Sequence, residues 1–159
     1  MNDRYLYRAK RTDNGEWVEG NIVWSDDVDD DYKAIIIPTT GSNMFTKGGA
    51  NGDLGFEHWH RVDQSTICQC TGLKDKNGKL IWENDIVELY DRNTDYRWRA
   101  VVRFGNPNHE YTWGWQLEPI GKCDANTDIL CWIEMEESGA TCEVIGSVFD
   151  NPKLLEVGE

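Results

Sequence analysis

A chain of 159 residues has material for one ordinary domain or two small ones, enough to bury a core without disulfide staples. Acidic residues outnumber basic ones by 29 to 16, and the net charge of −13 repels phosphate backbones and anionic lipid, which argues against direct nucleic-acid binding and membrane association. The longest apolar run, Ala34 to Ile37, is far too short for a bilayer span, and the opening MNDRYLYRAK lacks the apolar stretch of an export signal.

The five cysteines, Cys68, Cys70, Cys123, Cys131 and Cys142, are an odd set that suits free thiols in a reducing cytoplasm better than a disulfide framework. Eight tryptophans, six tyrosines, four phenylalanines and fifteen glycines are the composition of a small β-barrel or sandwich. A buried indole needs a partner for its N–H, so several of these rings are expected half in a core and half at a rim.

In chain order, Arg4 to Lys10 and Glu16 to Trp24 alternate around Asp13-Asn14-Gly15 and predict a β-hairpin. The run SDDVDDD, Ser25 to Asp31, predicts a solvated loop, and AIII before Pro38 a short buried strand. Thr39 to Gly55 is rich in glycine and small polar residues and reads as a flexible loop. Phe56 to Val62 and Ser65 to Cys70 read as extended, completing an N-terminal β unit over residues 1–72. The second unit, residues 73–159, opens on the hairpin signal Asn77-Gly78. Strands are predicted over Asp85 to Tyr90, Trp98 to Phe104 and Gly114 to Ile120, closing a five-stranded meander or small barrel. Helix and strand fit Cys123 to Glu137 equally well. Cys142 to Phe149 reads as a strand, followed by a helical turn with Asn151 as cap and Pro152 in first position.

The segments QCTGLKDKNGKLIWENDIVELYD and CEVIGSVFDNPKLLE, in this order, resemble the YopX proteins of bacteriophages and prophages. The opening YRAKRTDNGEWVEGNIV and the link EHWHRVDQSTICQCTG support the resemblance. It implies a mainly β fold with a small SH3-like or pseudo-barrel body, a phage or prophage origin and residence in the bacterial host cytoplasm. It implies no activity and no cofactor. The matching residues look architectural: Gly72 and Gly78 for turns, Leu73, Ile81, Ile86 and Val87 for a core, Gly146 for close strand approach. The family pattern usually has glycine where this chain has Asn84, so Asn84 is expected at positive φ.

Several clusters are weighed for chemistry. His58, His60, Cys68 and Cys70 could converge on zinc if their strands were neighbours, although rim histidines and core thiols are the commoner use of such residues. The aspartates Asp26, Asp27, Asp29, Asp30 and Asp31 lack the glycine and glutamate of a calcium loop. Trp113-Gly114-Trp115 places two indoles on one strand face, as core rings or as an interaction surface. His109-Glu110 has no nucleophile nearby in sequence, and no phosphate-cradling glycine pattern occurs. These considerations favour a non-catalytic phage or prophage protein that binds an unknown protein partner or associates with itself as a homo-oligomer. The alternative is an acidic mimic that occupies a nucleic-acid-binding host protein; a zinc protein or enzyme ranks below both.

Overall fold

The computed structural model describes residues 3–26, 33–39, 43–47 and 53–158. Among them are twelve strands and one α-helix, and the mainly β class predicted from alternation is what the chain adopts. The chain divides into two compact units, Asp3–Gln69 and Cys70–Glu159.

In the first unit, β1 (Tyr7–Lys10) and β2 (Trp17–Trp24) form the expected hairpin, in register from Tyr7↔Gly20 to Lys10↔Trp17. Its turn closes because Gly15 takes a φ of 71° and Asn14 Oδ1 accepts from the Glu16 amide at 2.9 Å. Arg4 and Tyr5, expected in the first strand, lie instead in a 3₁₀ turn, Asp3–Tyr5. The AIII run is β3 (Ala34–Ile37); it pairs with β2 and with β6 (His60–Arg61), and the single strand expected over Phe56 to Val62 is broken between Phe56 and His60. Ala9, Ala34, Ile36 and Val62 make the buried core of this unit.

The glycine-rich stretch predicted as a loop contains two paired strands, β4 (Met44–Lys47) and β5 (Asp53–Phe56). Asn43 ties their base: its buried amide donates to the Pro38 and His58 carbonyls at 3.1 and 2.8 Å and accepts from the His58 amide at 2.6 Å. Most of the acidic run, residues 27–31, and positions 40–42 and 48–52 of the glycine-rich stretch lie outside the described residues.

Strand β7 (Cys68–Lys74) and β8 (Leu80–Trp82) are joined through Asn77-Gly78, with Gly78 at φ 78° and Gly72 at φ 79°. Strands β9 (Asp85–Asp91), β10 (Tyr96–Gly105), β11 (Gly114–Pro119) and β12 (Ala140–Ser147) form an antiparallel sheet in the order β11-β10-β9-β12. It is an open sheet; no ring of strands closes among the described residues. The ambiguous stretch resolves into α1 (Ile129–Glu134), started by the Asp128 carboxylate accepting from the Leu130 amide at 3.0 Å. The core beneath gathers Ile81, Val87, Leu89, Val102, Leu117 and Trp132.

Three details show why the family-like residues stand where they do. Asp75, buried, accepts from the Asn77 and Lys79 amides at 2.9 Å through Oδ1 and from the Val144 amide of β12 at 3.0 Å through Oδ2. Asn84 adopts the predicted left-handed conformation, φ 66°, and its side-chain oxygen accepts from Arg103 Nη1. Gly146 follows a bulge in β12, but its missing side chain makes room for the Asn151 side chain and not for the neighbouring strand that sequence reasoning expected. A Cβ there would lie 2.7 Å from Asn151 Cγ. Asn151 does not cap the 3₁₀ turn Pro152–Leu155 with its side chain; its Oδ1 accepts from the Ser147 amide at 3.2 Å.

Two stability measurements check this reading. In chemical denaturation, Asn84→Ala loses roughly 1 to 2 kcal/mol more than Asn84→Gly, because both lack the amide and only alanine strains at positive φ; equal losses would remove the strain argument. Gly146→Ala lowers the thermal midpoint by about 4 to 8 °C, corresponding to roughly 2 kcal/mol of overpacking in a chain of this size. Combining it with Asn151→Ala, which removes the two nearest clashing atoms, Oδ1 and Cγ, and leaves only Cβ, loses less than the sum of the two. Strict additivity would show that the two residues do not constrain each other.

Candidate functional site

The turn between β10 and β11, with the strand end that leads into it, exposes three large aromatic side chains, Phe104, Tyr111 and Trp113. Asn106 braces it, accepting from the Glu110 amide at 2.8 Å and donating to the Glu110 carbonyl at 2.5 Å, while His109 takes a φ of 57°. At its base Gly105 and Gly114 face each other across the strands, with φ of 110° and 136°, conformations that residues with side chains rarely adopt. Regular pleating therefore begins only after Gly114, and Trp113 falls outside it.

The consequence is an aromatic cluster at the surface. Trp113 is 76% exposed and Phe104 54% exposed. Phe104 meets Trp113 edge to face at 6.4 Å between centroids and meets Trp115, its cross-strand partner, at 5.0 Å. Trp115 is half-buried and packs against the core, and Tyr111, two residues before Trp113, stands fully in solvent. Of the two readings, core rings or interaction surface, the core one does not hold for Trp113, whose ring stands out of the sheet beside the paired glycines, while Trp115 is anchored. Sequence reasoning missed Phe104: alternation places it on β10, but which residue of β11 it opposes depends on register.

On the other side of the two indoles runs an open groove of about 420 Å³, lined by Trp113, Trp115, Leu73, Leu130, Gln116 and Asp128 among others. Gln116 is buried, and its Oε1 lies 3.4 Å from Thr127 Oγ1, which is also 3.3 Å from Glu110 Oε2. Asp128 was also missed; the signal was its place as a helix-capping residue directly before the apolar ILCW.

The four metal candidates are not brought together. His58 is exposed and outside any strand, and His60 is half-buried on β6. Loss of water around His60, reinforced by the Arg11 charge, holds its pKa below the usual imidazole value, which favours the neutral ring. Cys68 and Cys70 are fully buried on one face of β7, and Cys68 Sγ donates to the Thr66 carbonyl at 3.2 Å. Among the described residues no group of three or more His, Cys, Asp or Glu side chains is placed to hold a metal. Of the aspartate run only Asp26 lies within them. His109 is exposed, and the Glu110 carboxylate beside it lies against Thr127.

Thiol chemistry follows burial. Cys142 is buried, and desolvation first, then the Asp75 and Asp85 charges, push its thiol up to about 12. Cys123 and Cys131 are only half-buried. An aromatic disulfide reagent at pH 8 is expected to modify Cys123 and Cys131 in the folded protein and all five thiols after denaturation. Native reaction of Cys142 at the same rate would show that its site is open to solvent.

Among curated proteins none matches this chain. The crystal structure of protein EF1440 from Enterococcus faecalis is similar, with a TM-score of 0.55 and 26% identity, covering 94% of this chain and 96% of that one. The family model described as YopX protein matches residues 6–156. With the match running from the first hairpin to the terminal 3₁₀ turn, this chain belongs to the YopX family.

Proposed function

We propose that this protein is a non-catalytic phage or prophage accessory protein, working in the bacterial host cytoplasm, that engages another protein through the surface formed by Phe104, Trp113 and Trp115. The observation that carries this reading is the exposure of Trp113 and Phe104 in mutual edge-to-face contact, held by a rigid turn. Large, stiff aromatic side chains bury much area at little entropic cost, which is why Trp and Tyr dominate binding hot spots. Family membership supports the phage setting, and a bacterial structural neighbour is in keeping with it. No helix among the described residues is long and apolar enough to cross a membrane.

The acidic-mimic reading finds less support. On the four-stranded sheet acids alternate with bases: Arg97 pairs with Glu88 at 2.5 Å and Arg103 with Glu118 at 2.8 Å, and Lys76 pairs with Glu143 of β12 at 2.7 Å. That face is mixed in sign and does not form a row of unpaired carboxylates. A phosphate-like ladder would need the reverse.

Sedimentation of the purified protein tests self-association, and crosslinked capture in the host tests a separate partner, each with Trp113→Ser as the comparison. A central hot-spot residue contributes about 2 kcal/mol or more, so the substitution weakens association roughly thirtyfold while the thermal midpoint holds. If neither self-association nor capture changes in the variant, the aromatic surface is not the contact.

A further inference from the structure

We propose that the groove between Trp113, Trp115 and Asp128 receives an arginine side chain presented by a partner protein. The inference deepens the protein-binding reading and rests on it. Its basis is the combination of groups in one groove: two indole rings, one carboxylate and no opposing cation among the lining residues described.

The indole faces carry negative electrostatic potential and attract cations, arginine above all because its planar guanidinium also stacks. Trp113 is largely open to solvent, so a ligand has access to it. Asp128 fixes the groove at the other side. Its Oδ1 caps α1 through the Leu130 amide, so the side chain is already ordered, and among the described residues no lysine or arginine pairs with it. A guanidinium has five N–H donors, and carboxylate pairing is its strongest neutralisation.

Three further observations point the same way. Glu110 lies behind the polar wall of the groove, since Thr127 Oγ1 is within hydrogen-bond distance of both Gln116 Oε1 and Glu110 Oε2, so a second negative charge adds to the local field. The chain as a whole carries −13, which raises the local concentration of a basic segment and repels an acidic one. The apolar floor, Leu73 and Leu130, suits the methylene stem that arginine buries while its head stays polar. An uncharged apolar segment would leave Asp128 facing it without compensation.

The test uses the full chain and two small probes that differ in charge and little else, N-acetyl-arginine amide and N-acetyl-citrulline amide. The indole N–H resonances of Trp113 and Trp115, assigned with Trp113→Phe and Trp115→Phe, are followed during titration. With the arginine probe they shift with half-saturation on the order of millimolar, as expected for one side chain, and with citrulline at least about tenfold more weakly. Asp128→Asn keeps a capping side chain and removes the charge, so it holds the thermal midpoint and weakens the arginine probe about three- to tenfold. Added salt weakens it too. Equal shifts with both probes, no shift at tens of millimolar arginine amide, or an unchanged response in Asp128→Asn would each overturn the proposal. The two readings fail separately. If Trp113→Ser abolishes association while the indoles ignore arginine, only the arginine proposal falls; if arginine binds while Trp113→Ser leaves association and capture intact, the protein-binding surface falls.

Discussion

The second unit depends on carboxylates placed inside it. Asp75 satisfies three backbone amides at once, two from its own turn and one from β12, so a single side chain both shapes the Asn77-Gly78 hairpin and docks it on the outer edge of the four-stranded sheet. A buried carboxylate is tolerable only when such donors surround it, and an edge strand is safe only when something covers its open amides. Asp75 solves both problems together. Asp85, almost fully buried at the start of β9, accepts from the Trp82 amide at 2.8 Å and holds the left-handed Asn84 turn in the same manner. Asn84 in turn donates its amide to the Val102 carbonyl, and its carbonyl accepts from Val148, so the two segments that carry the family likeness are stitched to each other. What these segments share is therefore a means of building the sheet, and chemistry must be sought elsewhere on it.

Legibility in the sequence follows the range of the interaction that decides each element. Hairpins with glycine or asparagine at their corners are local, and Asn14-Gly15 and Asn77-Gly78 were readable because backbone sterics dictate them, whereas the positive φ of Asn84 was readable only through the glycine that the resembling family usually has at that position. The helix Ile129–Glu134 was not, since six residues make fewer than two turns and show no period that separates helix from strand. Nor were β4 and β5, whose pairing is clamped by Asn43, a residue with no pattern of its own. The third partner of Asp75, the Val144 amide, lies 69 residues away, a separation that local reading does not reach.

The candidate site divides along the same line. Trp113 and Trp115 were legible as a pair worth attention, but their fates differ because two glycines on different strands meet at the base of the turn. Phe104 joins them only through the register of β10 on β11, and Asp128 and Leu73 reach the groove from elements well separated in sequence. The soft-ligand cluster looked plausible for the opposite reason. Sequence spacing put His58 with His60 and Cys68 with Cys70 on shared faces, whereas the fold buries the thiols and leaves His58 outside.

Charge and aromatic exposure constrain each other. A chain at −13 opposes its own copies, so an interface between two of them must bury enough apolar area to outweigh repulsion that grows as salt is withdrawn. An arginine-bearing partner meets the reverse balance, with attraction that grows as salt is withdrawn. The same rings serve either case, because Phe104 and the outer edge of Trp113 offer apolar contact, and the groove beside Trp115 and Asp128 offers a place for positive charge. The sign of the salt dependence of association therefore distinguishes the two modes on one surface. Apolar contact between like-charged copies strengthens with added salt, whereas recognition of a basic segment weakens.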